Sequence, residues 1–369
     1  MKITLKRTPE QVELIKAMAS KNRAVAYEAQ AALADFIGPV LAEVINNAPT
    51  LSNLFTTLQF NSEDNPSIPL DLYYDITDED YIQVYSQSVA GGLPQNQVLP
   101  TSSEMKITTY SLDSALSFDR RYAAKSRMDV ISKTFTRMAQ EILLKQEKTS
   151  ANLILSSLAS ARTNDISHVI RAGTNGRLLL DDLNRLFTLA KRINTSFNKG
   201  TPLNRSSRGI TDLLVSPEVV QELRAMAYNP INTKGLVTNI PAPESMRTDI
   251  YNSAGIPEFY GVSIMEMNEL GATQKFNTIF GTVAGATTYG GTAFSASTNE
   301  ILIGIDRSRE SLIRAVATDS DNGSEFNLTA DDQFSVRQSK IGYFGSLEEG
   351  RMVLDTRALV GIVASGIAV

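Results

Sequence analysis

Few residues of this sequence have the types and spacing that catalysis requires. The chain of 369 residues has no cysteine, which excludes thiolate zinc sites, cysteine nucleophiles, iron–sulfur clusters and disulfides. A Ser-His-Asp triad would have to use His168, the only histidine. Because apolar Val169 and Ile170 follow it, His168 has a setting more typical of a structural or surface histidine than of a general base.

Candidate ligand loops each lack a necessary feature. The stretch 281–285 is rich in small residues but has no lysine for a phosphate loop. In 319–325, which resembles a calcium loop, Gly323 comes one place early and the closing glutamate is missing at its spacing. Asp78, Glu79 and Asp80 are consecutive, so their carboxylates point in different directions and favour a solvated or partner-facing surface. The sequence therefore predicts no catalytic residue, no cofactor and no metal site.

Composition argues against a protein that reads nucleic acid or spans a membrane. The pI is about 5.2, and no strand combines aromatic and basic residues as base-stacking strands do. Arg120, Arg121 and the basic N-terminus could contact phosphate only weakly and without specificity. No apolar run approaches the ~18 residues of a membrane span, and the N-terminus lacks the apolar core of a signal peptide. We expect a protein made and used in a cytoplasm.

Charge is arranged in blocks along the chain. Residues 1–23 carry six basic and two acidic side chains. Residues 24–105 have no lysine or arginine but eleven acidic residues, and residues 106–162 have ten basic residues against five acidic ones. Such blocks indicate surfaces that must meet, or avoid, particular partners.

Helix signals dominate the first fifth of the chain and its middle. Thr8, Pro9 and Gln11 predict a helix start with a capping box. Gly38 and Pro39 predict a break or kink that divides this stretch into two helices. Residues 66–112 alternate apolar and polar residues around a turn-rich tip, which predicts a long two-stranded hairpin that needs a surface to lie on. The apolar spacing over about 126–161 predicts a helix longer than 50 Å, at ~1.5 Å per residue.

The remainder predicts a mixture of helices and strands, so the fold class is α+β. A helix capped by Asp181 or Asp182, a buried strand at 212–215 and a helix starting at Pro217 follow one another. Strands are predicted at 261–265, 276–280 and 300–306, with a loop over 281–297. An antiparallel run is predicted over 311–318, 333–344, 351–355 and 358–363.

This order of elements resembles the major capsid proteins of tailed bacteriophages, which have the Hong Kong 97-type fold. Four segments carry the likeness: 213–219, 303–306, 332–337 and 350–360. The resemblance implies an N-terminal arm at 1–65, an extended loop at 66–112, a peripheral domain with a spine helix at 113–164 and 305–369, and an axial domain at 165–304. It implies a shell of hexamers and pentamers around a viral genome.

The resemblance also implies partners. We expect the chain to bind itself, a separate scaffolding protein, a portal and a cement or decoration protein, and to contact double-stranded DNA without specificity, with no membrane partner. The expected location is the virion, after assembly in the host cytoplasm. Only about 65 residues precede the extended loop, so no large N-terminal segment is expected to be cleaved. Residues 66–105 contain no lysine, so the covalent crosslink of some relatives is not expected.

Candidate interface residues follow from the charge blocks together with the resemblance. The extended loop of one subunit would lie across the peripheral domain of its neighbour, so an acidic loop would attract a basic spine. The loop residues are Asp75, Asp78, Asp80, Gly91, Gly92 and Pro94, and the spine residues are Arg120, Arg121, Lys125 and Arg127. Three alternatives stay open: an encapsulin-like nanocompartment shell of the same fold, a phage tail component, and an α/β hydrolase.

Overall fold

A computed structural model describes most of the chain outside residues 70–103 and 226–257. The described residues are 8–46, 48, 50–61, 63–69, 104–163, 165–193, 209–225, 258–259, 261–318, 325–331 and 339–367. They form two compact units. The first comprises Met1–Ile68, Lys106–Ser150 and Ile313–Met352, and the second Pro69–Met105, Ala151–Leu312 and Val353–Val369, each over its described residues.

Helices and strands are both abundant, as the α+β prediction requires. Helices α1 to α7 are Pro9–Met18, Arg23–Asn46, Arg120–Ala124, Met128–Ser160, Leu180–Ile193, Pro217–Ala225 and Lys275–Ala284. Strands β1 to β10 are Thr56–Asn61, Ser67–Pro69, Glu104–Lys106, Thr109–Asp119, Arg162–Thr163, Ile166–Ser167, Val169–Arg171, Asp212–Val215, Glu258–Phe259 and Val262–Glu266. Strands β11 to β17 are Thr288–Tyr289, Thr292–Ala293, Asn299–Ile305, Leu312–Thr318, Asn327–Asp331, Lys340–Val353 and Leu359–Ser365.

Helix α1 begins as predicted, but the predicted capping box is only half formed. The Thr8 hydroxyl accepts a hydrogen bond from the Gln11 N–H at 3.3 Å. The Gln11 Oε1 is buried and accepts no hydrogen bond from the described residues. The cap therefore depends on the hydroxyl alone.

Helix α2 runs through Gly38 and Pro39 as one helix, so the predicted division into two helices at this point is wrong. Proline normally clashes with the Cβ and N–H of the residue before it when that residue is helical, and Gly38 has no Cβ. Leu33, Ile37 and Leu41 lie one turn apart and are buried in the core of the first unit. This burial outweighs the hydrogen bond that Pro39 cannot donate.

The first unit is built on a five-stranded sheet with helices packed on it. Its strand order is β1-β14-β16-β15, with β4 pairing along the other edge of β16. β1 runs parallel to β14, while β15 and β4 run antiparallel to β16. The core joins α1, α2 and the first half of α4 to this sheet, and Phe135 packs edge-to-face on Tyr343 at 5.3 Å. The long helix α4 confirms the prediction over 126–161.

The second unit contains a six-stranded sheet of order β7-β17-β13-β8-β10-β9. Central strands β8, β13 and β17 are almost entirely buried, as expected for strands covered on both faces. Helix α6 starts at Pro217 as predicted, and the Ser216 hydroxyl caps it by accepting from the Val219 N–H at 3.2 Å. Leu183, Leu186 and Ala190 of α5 lie in the same core.

Residues 276–280, predicted as a strand, form part of helix α7. Phe276, Phe280 and Ala284 are buried at helical spacing, and Phe280 contacts Phe294 edge-to-face at 4.8 Å. Ala284 is the last buried residue on this face of the helix. It lies inside the predicted loop 281–297, so the sequence pattern assigned it to the wrong element. The predicted strands at 333–344 and 351–355 both reach into one long strand, β16.

The base of the predicted hairpin is a two-stranded pair of β2 and β3. Residues 70–103, which hold most of the predicted hairpin and its tip, lie outside the described residues. The calcium-like stretch 319–324 lies outside them as well.

Candidate subunit interface

The predicted interface residues divide into two sets. Asp75, Asp78, Asp80, Gly91, Gly92 and Pro94 lie outside the described residues. The four basic residues are described, and all of them belong to α3 or the turn that joins it to α4. Their contacts can therefore be examined one at a time.

Arg120 is engaged within its own unit. Its Nε and one terminal nitrogen donate to the Ala19 carbonyl at 3.2 and 2.9 Å, and the same nitrogen donates to the Ser20 carbonyl. These carbonyls end helix α1, so the guanidinium ties α1 to α3 and lies near the negative end of the α1 dipole. This arginine is half-buried rather than an open surface cation.

Arg121, Lys125 and Arg127 are exposed. The Arg121 side chain is 86% exposed, and its Nε lies 4.0 Å from the Asp119 carboxylate, which also accepts from the Arg121 N–H at 2.9 Å. An exposed pair at this distance contributes about 0–1 kcal/mol, so Arg121 remains free to bind another partner. The three residues form a basic edge at the start of the long helix.

A second basic surface lies along α4, and the charge count over 106–162 included its residues without naming them as interface candidates. Lys133, Arg137, Lys145 and Lys148 are exposed together with one acidic residue, Glu141, and Leu144 beside them is 49% exposed. Lys133, Arg137 and Lys148 recur at helical spacing on the side opposite Phe135 and Ile142, which are buried. The apolar stripe predicted the buried side, and reading the charges at the same period would have found this face. We call these four residues the α4 basic face.

A polar network around Glu349 lies against the middle of α4. The Glu349 carboxylate is fully buried and accepts from Arg314 Nε at 2.9 Å and from an Arg351 terminal nitrogen at 3.0 Å. Gln146 of α4 donates to it at 3.1 Å, and the Tyr110 hydroxyl donates at 2.9 Å. The network connects α4, β4, β14 and β16, so the position of the basic face depends on it.

Charge balance explains why a carboxylate is tolerated there. Burial alone would raise the pKa of Glu349, but the guanidiniums of Arg351 and Arg314 outweigh it and hold that pKa below its ordinary value. Burial and the Glu349 charge raise the pKa of Tyr110 to about 12. Arg351 also lies over the Phe55 ring at 5.4 Å and donates to the Ser150 hydroxyl.

Solved structures match this chain along most of its length, although no family model and no curated protein matches it. The capsid of Cyanophage P-SCSP1u matches 85% of this chain and 87% of its own, at 12% identity and a TM-score of 0.50. The capsid of a native GTA particle matches 86% of this chain and 90% of its own, at 11% identity and a TM-score of 0.50. A holo-encapsulin complex from Synechococcus elongatus matches 86% of this chain and 88% of its own, at 12% identity and a TM-score of 0.46.

The chain has the Hong Kong 97-type fold. The fold resemblance stated from the order of elements is confirmed. The four-part division into arm, loop, peripheral and axial domains stays a prediction, and so do the interface residues.

His168 has a structural place in this Hong Kong 97-type fold. It is fully buried, its Nδ1 lies 3.0 and 3.1 Å from the Thr356 and Leu359 carbonyls, and its Nε2 lies 2.8 Å from the Thr163 hydroxyl. Two carbonyl acceptors require a proton on Nδ1, so the neutral tautomer accepts from Thr163 at Nε2. Burial lowers the pKa of His168, which keeps the ring neutral.

Glu300 is a second buried group in the same unit. Its Oε2 accepts from the Ser216 hydroxyl at 2.5 Å, and its Oε1 has no hydrogen-bond partner among the described residues. Burial raises the pKa of Glu300 to about 7, opposed by the Ser216 hydrogen bond and helped by the nearby Glu218 charge. Among the described residues, no group of three or more carboxylates or histidines could hold a metal ion. No helix in the described ranges is both long and apolar enough to cross a membrane.

Proposed function

We propose that this chain is a major capsid protein. Copies of it assemble into hexamers and pentamers, which close an icosahedral shell around a viral genome in the virion. The observation that supports this most is the likeness of fold along 85% and 86% of the chain to two capsid proteins. The chain acts as a structural subunit and not as an enzyme.

The contact between copies joins opposite charges. In this proposal, the acidic segment around Asp75, Asp78 and Asp80 of one copy lies on the basic edge and the α4 basic face of the next. The basic edge is formed by Arg121, Lys125 and Arg127, all exposed. Each exposed pair contributes only about 0–1 kcal/mol, but the contact recurs at every subunit of a shell.

The other parts of the proposal follow the resemblance. Residues 1–65 form the arm, 66–112 the extended loop, 113–164 and 305–369 the peripheral domain, and 165–304 the axial domain. A separate scaffolding protein, a portal and a cement protein are the protein partners. Double-stranded DNA is packaged without sequence-specific contacts, and assembly takes place in the host cytoplasm.

Negative-stain electron microscopy of the purified chain tests the proposal. We expect closed shells or hexameric rings, whereas a chain that stays monomeric at all concentrations would contradict it. Analytical ultracentrifugation of the same sample measures the assembled fraction.

The contents of the shell decide between a capsid and an encapsulin-like compartment. Particles from the producing cell are treated with nuclease, and their contents are then extracted. Nuclease-protected DNA is the result expected of a capsid. A protein cargo without nucleic acid would instead identify the chain as a compartment shell. Neighbouring genes for a portal and a terminase, rather than for a cargo enzyme, would support the proposal that the chain forms a capsid.

A further inference from the structure

A basic pocket in the first unit lies apart from the α4 basic face. It is a cavity of about 180 Å³, formed where the turn between α1 and α2 meets the starts of α2, α3 and β16. Its polar lining consists mainly of Lys21, Arg23, Tyr27, Gln30, Arg120 and Lys340. We call it the α2 pocket.

Positive charge in the α2 pocket is not balanced by its own lining. No Asp or Glu occurs among the described residues that line it. Lys21 and Lys340 are exposed, while Arg120 donates hydrogen bonds to neutral carbonyls at the end of α1. Arg23 lines the pocket too and already has an interaction partner.

One carboxylate stands close to the α2 pocket by strand register, and it is already engaged. Asp119 pairs with Lys340 across β4 and β16. Its carboxylate accepts from the Arg121 N–H at 2.9 Å and lies 4.0 Å from the Arg121 Nε. It caps α3 and is not among the lining residues of the pocket. The positive charge of Lys21 and Arg120 is therefore left without a carboxylate among these residues.

A buried amide adds a second sign of a ligand. Gln30 is only 3% exposed, and it lines the pocket. Buried amides are nearly always hydrogen-bonded, to protein, to water or to a ligand. Arg23 and Ala26, in the first turn of the 24-residue helix α2, also line the pocket, so the positive end of the helix dipole lies at it.

We propose that the α2 pocket binds a phosphate group. Two lysines, the second terminal nitrogen of Arg120 and an amide are donor groups in the lining, which suits an anion with several acceptor oxygens. The phosphate can be a free ion or a phosphodiester of a nucleic acid, which share this chemistry. The proposal stands apart from shell assembly, because the pocket lies within one unit of one copy.

Titration of the unassembled full-length chain with inorganic phosphate tests the site. Isothermal titration calorimetry and the melting temperature are measured at constant ionic strength, with chloride replacing phosphate in the reference. We expect saturable binding that is at least about tenfold weaker in the double variant Lys21→Gln/Lys340→Gln, since two charged donors to the phosphate are lost. The matched control is Lys191→Gln/Lys275→Gln, which removes the same charge from exposed lysines outside the pocket and should bind as the wild type does.

Competition identifies the source of the phosphate. Displacement of inorganic phosphate from the wild type by a short DNA duplex would identify the ligand as a phosphodiester. Phosphate binding that the duplex does not disturb would identify the free ion.

Three results would overturn the proposal. One is a phosphate effect equal to that of chloride, and another is equal phosphate affinity in the wild type and the double variant. The third is a double variant that assembles poorly although the wild type binds no phosphate. That outcome would indicate that the pocket binds carboxylates of a second copy instead of phosphate.

Discussion

Glu349 is a charged side chain that the interior of the first unit holds between two arginines. Arg314 and Arg351 are themselves 6% and 1% exposed, so none of the three charges is solvated well enough to stand alone. Removing one member of such a network leaves the other charges buried and unpaired, which costs more than the network contributes as a whole. Glu349 is therefore the residue at which a single substitution should do most damage.

The substitution Glu349→Gln should lower the free energy of unfolding by about 3–5 kcal/mol. Urea unfolding of the unassembled chain, followed by circular dichroism, measures this. Glu348→Gln is the matched control, because Glu348 lies next along β16 and is only half-buried, and it should change stability by less than about 0.5 kcal/mol. Equal effects of the two substitutions would refute the role given to the network.

Glu300 should make stability depend on pH in the opposite sense to a salt-bridged carboxylate. Its pKa rises on folding from 4.5 to about 7, so it costs nothing at low pH and destabilises progressively as pH rises through that window. Glu300→Gln should be close to wild type in stability near pH 4 and more stable by about 3 kcal/mol near pH 8. Thermal melts across this range measure the difference. If the melting temperatures of variant and wild type changed in parallel with pH, Glu300 would not titrate in this pH range.

At the scale of elements, Pro39 lies inside helix α2 and lowers the stability of that helix. A proline inside a helix removes one hydrogen bond and costs about 3 kcal/mol, whereas a proline in the first turn costs almost nothing. Pro39→Ala should therefore raise the free energy of unfolding by about 1–3 kcal/mol, while Pro9→Ala, at the start of α1, should leave it nearly unchanged. Urea unfolding of both variants makes the comparison. A loss of stability in Pro39→Ala would mean that α2 needs the proline ring for packing.

Elements with local signals could be predicted from the sequence. The Thr8 cap, the Ser216-Pro217 start of α6 and the stripe of α4 each need only neighbouring residues, and all three are confirmed. The incorrect predictions concern elements whose conformation depends on contacts with residues distant in the sequence. Five residues from Phe276 to Phe280 fit a strand as well as a helix, and Ala284 completes the helical face only when packing is known.

The candidate interface was predictable only in outline, for the same reason. The charge count located a basic region near Arg120 but could not show that the Arg120 guanidinium is engaged by the end of α1. The Glu349 network joins residues as far apart in sequence as Tyr110 and Glu349, which no local pattern links. Spacing alone would have found the α4 basic face.

At the scale of the whole molecule, the charge blocks separate an acidic stretch from a basic one that follows it. Residues 24–105 carry eleven acidic residues and no basic one, and the exposed cations of α3 and α4 come directly after. Such an arrangement can act between the surfaces of different copies. Between copies it favours one pairing of surfaces and opposes the others through like-charge repulsion.

Neutralising three acidic residues of the extended loop tests this pairing. The triple variant Asp75→Asn/Asp78→Asn/Asp80→Asn should weaken the contact by about 1–3 kcal/mol per subunit, and so raise the concentration needed for assembly roughly tenfold. Light scattering and negative-stain microscopy at low and high salt measure the assembled fraction. Since salt screens exposed pairs, wild-type assembly should fall as salt rises and the variant should respond less.

The control for this test removes the same charge elsewhere. Asp181→Asn/Glu266→Gln/Glu269→Gln neutralises three exposed acidic residues of the second unit and should keep the salt dependence of the wild type. A general effect of net charge would instead change both triple variants alike. If the loop variant assembles with the yield and salt dependence of the wild type, the contact does not depend on these charges. The exposed Leu144 in the middle of the α4 basic face would then direct attention to apolar contacts between copies.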